Sequence, residues 1–534
     1  MKIRSDILRV YQALHTWVGI CAGMLLFIGF FAGALTMFKQ PLDRWISAPV
    51  HTLPGLPAAQ TDALVSTLLA ERPAAREEFV LHLQQHENIA APVSWSEGAG
   101  GREIDLSARR WYATLDVHGQ LIAQQALPSL LAQLIDMLHR TGGVPGTLGD
   151  EYLGVYLMGV AGVLYFLALV SGVILLLPTL VKDFFALRPG KNRKRFWLDA
   201  HNVVGIASLP YHIVISVTVI VFAFHDQLYG GLSRFVYRDQ PMFTPRVAAG
   251  QYPLRELRPA SELIAAVQRE APEFEVTELL YMGLESPRPM VRAAVASPRY
   301  LVQGAETGYV LLHPYTGKVV DTSMLPSKGD PWSDIVAPMF SLHFGSYGGS
   351  LMRWVYFAFG LSGAFLFYSG NLLWVEKRRK NQARDGALPQ QKLATRLMAA
   401  ATVGVCLGAV AGVSLTIVAG KWLSGAAANI NAAYLAVYYA VFLSALAWAF
   451  WRGAARAGSE LLGLCALGAL AIPLTSLAAW LMPSTGWWAH GSAAALGVDA
   501  TALVFAAVFA WAARLAARRA AHGPRDSVWA APMP

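Results

Sequence analysis

Four histidines occupy matching places in a repeated pattern. His15, in Leu-His-Thr-Trp-Val-Gly, opens one long apolar run, and His201, in Ala-His-Asn-Val-Val-Gly, opens another. His139 and His343 each follow a leucine and precede two further apolar runs. An imidazole in a membrane costs free energy unless it is paired, so this repeat indicates a site. Imidazole is a ligand of haem iron, and ligands on facing helices can hold a cofactor within a bundle.

The third apolar run carries a second histidine. His201 and His212 are eleven residues apart. In a straight helix they would share one face, about 16.5 Å apart along the axis. That spacing suits one helix that gives a ligand to each of two stacked haems. We expect His15 to pair with His201 at an inner haem, and His212 to pair with His343 or His139 at an outer haem.

Three more residues are candidates for the outer site. His225 lies on a different face near the end of the third run and is a spare candidate ligand. Arg140 and Arg353 lie close in sequence to the outer histidines. They could pair with haem propionates, for which a charge-assisted fork is favoured. Anchoring at the membrane interface is the alternative role of both arginines.

Membrane helices are the elements that must position these residues. Hydrophobic residues make up 55% of the 534-residue chain and charged residues 14%, which excludes an ordinary soluble protein. A hydrocarbon core of about 30 Å needs about 20 helical residues. Eight apolar stretches are long enough, roughly 12–38, 152–178, 201–224, 352–375, 397–419, 432–451, 460–482 and 494–515.

The cations of the short loops indicate the orientation. They cluster before the first span, between the second and third, after the fourth and after the eighth. Under the positive-inside rule both termini are then cytoplasmic. The net charge of +9 is therefore mostly a topology signal and does not indicate nucleic-acid binding. We expect a multi-pass protein of the bacterial inner membrane, with the lipid bilayer as a partner and the first span retained as a signal anchor.

Two long segments, about 39–150 and 225–350, are then periplasmic. Each predicts a small α+β module that combines an amphipathic helix with a β-hairpin. The helices are expected over 61–70 and 261–270, and the hairpins over 111–122 and 308–320. Because each module lies between two histidine-bearing spans, residues 1–180 and 190–380 are predicted to be two copies of one unit.

The predicted fold is a polytopic α-helical membrane protein with about eight transmembrane helices. The two α+β modules are inserted after the first and third helices. The segments are span 1–38, module 39–150, span 151–180, basic loop 181–200, span 201–224, module 225–350, span 351–376, basic loop 377–396, four spans over 397–515 and a cytoplasmic tail over 516–534.

Other signals are weaker. His82 and His86 have a spacing that could hold a metal on a helix, but their surroundings alternate as in a solvated strand. All three cysteines fall in predicted spans without a CxxC pattern, which argues against disulfides, c-type haem and thiolate-bound clusters. Paired glycines over 159–162 and 360–363 could allow close helix packing or make room for a porphyrin, and packing is the preferred interpretation.

Two hairpins and one span carry a family resemblance. The sequences Asp116-Val-His-Gly-Gln and His313-Pro-Tyr-Thr-Gly-Lys-Val resemble the PepSY domain. Arg195-Phe-Trp-Leu-Asp-Ala-His-Asn-Val-Val-Gly and Ser208-Leu-Pro-Tyr-His-Ile are similar to the third-span motif of the PepSY-associated transmembrane family, often described as iron-regulated membrane proteins. The similarity covers about residues 8–380. It is strongest to FoxB-like ferrisiderophore reductases of the inner membrane. The resemblance therefore implies haem b, a ferric siderophore substrate, and a cytoplasmic or quinone electron donor.

Residues and resemblance together predict an oxidoreductase with two haems. It would pass electrons outward and reduce ferric iron in a siderophore, since hard oxygen chelators hold Fe(III) far better than Fe(II). One alternative is a siderophore or solute permease that uses the last four spans. However, Pro210 and Pro473 do not break corresponding halves as transporter helices usually do. The other alternative is a PepSY-based sensor or assembly protein without redox activity, although the inner loops are short for an output domain.

Overall fold

A computed structural model gives the architecture of most of the chain. The residues that it describes are 4–48, 53–84, 91–97, 104–107, 109–184, 186–188, 193–238, 247–302, 304, 307–326, 328 and 333–531.

Helices account for most of the described residues, and strands form the rest of the regular structure. The helices are α1 (Ser5–Thr36), α2 (Lys39–Ile46), α3 (Thr61–Glu71), α4 (Leu131–Thr141), α5 (Leu153–Leu176), α6 (Leu180–Asp183), α7 (Arg193–Ala207), α8 (Leu209–Ala223), α9 (His225–Phe235), α10 (Ala260–Glu270), α11 (Ser333–Phe344), α12 (Gly349–Lys377), α13 (Leu393–Trp422), α14 (Ile430–Arg452), α15 (Ala454–Leu481) and α16 (Ala493–His522). The strands are β1 (Glu78–His82), β2 (Val93–Glu97), β3 (Arg109–Leu115), β4 (Leu121–Ala126), β5 (Thr147–Leu148), β6 (Glu151–Tyr152), β7 (Glu275–Met282), β8 (Met290–Ala296), β9 (Gly308–Leu312) and β10 (Val319–Asp321).

The membrane-spanning helices agree with the sequence prediction. Within the described ranges, seven helices are long and apolar enough to cross a membrane, and the pair α7 and α8 makes an eighth span if it is counted as one. The chain is therefore a multi-pass membrane protein. Paired glycines allow these helices to pack closely, as predicted: a Cβ at Gly159 would lie 2.7 Å from Ala223 Cβ, and one at Gly363 would lie 2.3 Å from Phe30.

The prediction of one straight third span over 201–224 is wrong. Helices α7 and α8 meet at an angle of 70°. The break occurs at Ser208, two residues before Pro210, which lies in the first turn of α8. Proline has no backbone N–H to donate to the preceding turn and its ring clashes there, so it begins a helix more readily than it continues one. His201 and His212 therefore lie on two differently directed helices, and the expected separation along one axis does not apply.

All of the longer strands belong to one eight-stranded antiparallel sheet. Its order is β10-β9-β8-β7-β1-β2-β3-β4, so β1 of the first predicted module pairs with β7 of the second. At this junction Phe79 lies opposite Tyr281, and the two rings stack with centroids 4.4 Å apart. The two predicted copies thus complete one continuous sheet.

Helices α3 and α10 cover the apolar face of this sheet. Leu64 and Leu68 of α3 and Leu263 and Val267 of α10 are fully buried in its core. Each such side chain contributes about 1.5–3 kcal/mol by leaving water. The two helices also contact each other, because the carboxylate of Asp62 accepts hydrogen bonds from the backbone N–H and hydroxyl of Ser261.

The chain divides into two compact units. The membrane unit comprises Met1–Ile46, Leu130–His225 and Val355–Pro534, and the sheet unit comprises Ser47–Ser129 and Asp226–Trp354. Residues 130–150, predicted as part of the first module, instead group with the membrane helices. The reason is that α4 is amphipathic and buries its apolar face against α1, α2 and α5.

Candidate functional site

Two of the sequence-predicted histidines meet inside the membrane unit. His15 of α1 and His201 of α7 have ring centroids 6.4 Å apart and ring planes at 83° to each other. Two imidazoles that bind one metal ion from opposite sides, each through a bond of about 2 Å, have centroids about 6 Å apart. The predicted pairing of these two residues therefore has the spacing of a two-imidazole metal centre.

Hydrogen bonds orient both rings through Nδ1. His15 Nδ1 donates to the Ala168 carbonyl oxygen at 2.9 Å. His201 Nδ1 lies 3.0 Å from Ser369 Oγ, whose own hydroxyl donates to the Leu366 carbonyl, so the serine oxygen accepts from the ring. A proton on Nδ1 leaves the lone pair on Nε2, which is the arrangement that metal-ligating histidines use.

A Ser-Gly pair lies beside each of these rings. Ser171 and Gly172 of α5 contact His15, and Ser369 and Gly370 of α12 contact His201. A Cβ at Gly172 would lie 3.1 Å from the His15 ring, and one at Gly370 would lie 3.7 Å from the His201 ring. Sequence reasoning missed these pairs, although the same dipeptide occurs in the second and fourth spans of the two predicted copies and could have indicated them.

His212 is fully buried without a hydrogen bond. Its exposed fraction is 0%, and neither ring nitrogen has a hydrogen-bond partner among the described residues. The ring packs among Tyr211, Phe30 and Tyr165, with centroids 5.2, 5.6 and 5.9 Å away. An unsatisfied buried polar group costs about 1–3 kcal/mol. A group that bonds one of the nitrogens would remove that cost, so this imidazole fits a ligand role.

His139 lies against the same turn of α1 as His212. Its Nδ1 donates to the Gly29 carbonyl oxygen at 2.8 Å. A Cβ at Gly33 would lie only 2.6 Å from that nitrogen, so the glycine makes room for the ring. Since Phe30 contacts His212, both imidazoles face residues 29–33 of α1. Of the two predicted outer partners of His212, His139 is the one that the membrane unit contains.

The remaining predicted residues are dispersed. His225 donates from Nδ1 to the Phe222 carbonyl in its own chain segment at 2.8 Å. His343 belongs to α11 in the sheet unit, where its ring lies beside Phe344. Arg353 is a half-buried residue in the first turns of α12.

Arg140 has protein partners close by. Its Nε lies 3.2 Å from a carboxylate oxygen of Asp136, one turn earlier in α4. Its guanidinium also lies 5.9 Å from the centre of the Tyr152 ring. These contacts agree with an anchoring role for Arg140, which follows His139 in α4.

An ion cluster around the buried carboxylate of Asp199 precedes His201 and was not predicted. The carboxylate of Asp199, which is only 1% exposed, accepts from Arg188 at 2.7 Å and pairs with Arg195 at 3.0 Å. Arg188 and Arg195 also pair with Asp183. Because Asp199 lies two residues before His201, the cluster fixes the first turns of α7.

His82 lies in a strand, as predicted, and joins a polar line across the sheet. Its Nε2 lies 3.1 Å from Ser94 Oγ, and its Nδ1 lies 3.5 Å from Glu278 Oε2. This pairing spans β2, β1 and β7 and so crosses the junction of the two copies. His86, the other half of that pattern, lies outside the described residues.

The membrane unit offers buried or half-buried imidazoles of the kind that ligate haem iron. In the part of the chain that the structure describes, no group of three or more His, Cys, Asp or Glu side chains could hold a metal ion. A haem needs only axial ligands from the protein. His15 with His201, and the unsatisfied nitrogens of His212, meet that need.

The comparison with known families agrees with this architecture. The family described as PepSY-associated TM region matches residues 12–377. The chain belongs to this family, and the match covers both predicted copies with the first four spans. No curated protein matches the chain.

Proposed function

We propose that the chain is a haem-containing oxidoreductase that reduces ferric iron in a siderophore. The observation that carries the proposal is the pair His15 and His201. Their rings are 6.4 Å apart, and each is oriented through Nδ1, by Ala168 and Ser369. Bound haem b would supply reversible one-electron chemistry. The chain supplies the ligands, their orientation and an apolar surrounding that excludes water.

His212 and His139 are proposed as the ligands of a second haem. His212 has two buried nitrogens without partners among the described residues, and His139 faces the same turn of α1. An apolar aromatic surrounding such as Phe30, Tyr165 and Tyr211 lowers the local dielectric, which is one way in which proteins set a redox potential. His225, which also belongs to the membrane unit, is the alternative for this site.

The cation-rich loops and the family support the proposed location. Cations cluster before the first span, between the second and third, after the fourth and after the eighth. Through the positive-inside rule this pattern supports cytoplasmic termini and a periplasmic sheet unit in a bacterial inner membrane. Electrons would come from a cytoplasmic or quinone donor. Reduction is a sensible release step for siderophore iron, because hard oxygen donors hold Fe(III) far more tightly than Fe(II).

The test is a reduced-minus-oxidised visible spectrum of the purified protein, with haem counted per polypeptide. We expect b-type bands, and we expect His201→Ala to lose part of them. His118→Ala, at an exposed turn of the sheet unit, is the matched control and should leave the spectrum unchanged. A colourless protein from haem-replete cells would refute the reductase and favour the permease. Reduction of a ferric siderophore by the reduced protein then tests the substrate.

A further inference from the structure

Helix α14, one of the last four spans, contacts α4 at both of its ends. Helix α4 carries His139. Before α4, the backbone N–H of Leu130 donates to Asn431 Oδ1 at 2.9 Å. After α4, the Gly143 carbonyl accepts a hydrogen bond from the Tyr439 hydroxyl at 3.1 Å. Asn431 and Tyr439 both belong to α14, about 12 Å apart along its axis. Helix α14 therefore lies alongside α4 and fixes where it begins and ends.

A second connection runs through Trp45 of α2. Its indole N–H donates to Asp499 Oδ1 at 2.8 Å and to Ser476 Oγ at 3.1 Å. The ammonium of Lys421 lies 3.5 Å from the centre of the same ring and donates to the Trp488 carbonyl oxygen. Trp45 is 1% exposed and Lys421 is 2% exposed. Ionisable groups in a membrane protein are costly unless they are paired, and this pairing ties α2 to α13, α15 and α16.

Helix α2 in turn contacts α4 through an ion pair. Lys39 of α2 pairs with Asp136 of α4 through a contact of 2.9 Å. Asp136 lies one turn before His139 and also pairs with Arg140. The ion pair with α2 therefore restricts the turn of α4 that carries His139, and the hydrogen bonds with α14 restrict the two ends of α4.

We propose that the last four spans position His139 as a haem ligand. These spans lie beyond residues 12–377, the part of the chain that the family match covers. The proposal rests on the proposed haem function and assigns Asn431 and Tyr439 as positioning residues that act through α4. Removal of a group that hydrogen-bonds a ligating histidine changes metal affinity by about 10–100-fold, and residues that act through the helix should reach the lower end of that range.

The experiment compares two variants of the full-length, haem-loaded protein. Asn431→Ala combined with Tyr439→Phe removes both end contacts of α4. Trp448→Phe is the control, because it removes a hydrogen bond to Glu460 from the same helix α14, near the end of that helix opposite to Asn431. Electron paramagnetic resonance and a redox titration follow the haem that is lost in His139→Ala.

We expect the double variant to change the resonance and weaken retention of the His139-dependent haem by about 10-fold. The His15–His201 haem should keep its signals, and Trp448→Phe should match the parent. A double variant whose His139-dependent haem is unchanged in resonance, potential and retention overturns the proposal. If the double variant does not accumulate, Tyr439→Phe alone, which removes only a hydroxyl group, supports the same comparison.

The proposed function can fail separately from this inference. If His139→Ala leaves every haem signal intact, His139 is not a ligand and the positioning role is refuted with it. The assignment of His15 and His201 is then still decided by His201→Ala. A loss of all haem signals in the control Trp448→Phe would also contradict the proposal, because the effect would then reflect general destabilisation of α14.

Discussion

The two imidazole sites of the membrane unit are built differently. His15 and His201 occupy equivalent places in the two copies, and each is flanked by a Ser-Gly pair from the span that follows in its copy. His212 has no such counterpart, because the offset of 186 residues between His15 and His201 places Leu26 at the equivalent position. The His15–His201 pair is therefore symmetric between the two copies. His212 occurs in the second copy only, and its proposed partner His139 lies on α4.

The difference shows how an internal repeat can acquire two kinds of site. The symmetric pair has its Nδ1 atoms bonded to the protein, so its rings are oriented before any cofactor arrives. The ring of His212 packs against aromatic side chains, and its two ring nitrogens have no hydrogen-bond partner in the described part of the chain. The His15–His201 pair is therefore preorganised, whereas the ring of His212 would gain polar satisfaction only from a bound group.

His212→Leu should give the largest effect and the clearest contrast. The variant restores the residue type of the first copy. We expect loss of one haem signal, and at the same time a haem-free protein that is more stable by about 1–3 kcal/mol, since an unsatisfied buried group is removed. Visible spectra and chemical denaturation of the haem-free form measure the two effects. Retention of every haem signal would remove His212 from the ligand set.

Ser369→Ala should weaken the symmetric site by an intermediate amount. Ser369 accepts the hydrogen bond from His201 Nδ1 at 3.0 Å. Its loss should lower haem affinity about 10–100-fold, measured by haem titration of the haem-free protein. Ser171→Ala is the matched control, because His15 keeps the shorter bond from Nδ1 to the Ala168 carbonyl. Equal effects of the two variants would contradict the orientation that we describe.

The two glycines of the symmetric site should differ when they are replaced by alanine. In Gly172→Ala the new Cβ lies 3.1 Å from the His15 ring, which its bond to Ala168 prevents from moving away. We expect a loss of about 1–3 kcal/mol from overpacking. In Gly370→Ala the distance is 3.7 Å, an ordinary contact, so the better helix propensity of alanine should gain up to about 1 kcal/mol. Thermal unfolding in detergent measures both, and a reversed order would contradict the geometry.

The junction of the copies in the sheet should show the smallest effect. The hydrogen bond from His82, with Arg292 nearby, holds the pKa of Glu278 below its ordinary value of 4.5. The carboxylate therefore stabilises the sheet above pH 4.5, and this contribution is lost as the pH falls through the lower folded value. Exposed pairs contribute about 0–1 kcal/mol. Glu278→Gln should reduce the hydrogen-exchange protection of β1 and β7 slightly at pH 7, and this difference should fade as the pH falls through the lowered pKa of Glu278. If the loss of protection is larger at low pH than at pH 7, the predicted direction of the pH dependence is wrong.

Much of the fold and part of the site follow from the sequence. Long apolar runs determine membrane helices because unpaired backbone groups are too costly in lipid. The cation clusters predict orientation, and the alternating segments predict strands. The pairing of His15 with His201 also follows, because equivalent residues of a repeat reach equivalent positions in the two copies.

Only the tertiary structure decided how these elements meet. The 70° bend before Pro210 separated His201 from His212, which sequence periodicity had placed on one face. Strand pairing between β1 and β7 joined two modules into one sheet. His139 lies against α1, and Asn431 and Tyr439 bond the two ends of α4. These contacts join residues up to about three hundred positions apart in sequence. Local patterns determine which segments are helices or strands, but the packing that satisfies buried groups is a property of the whole chain.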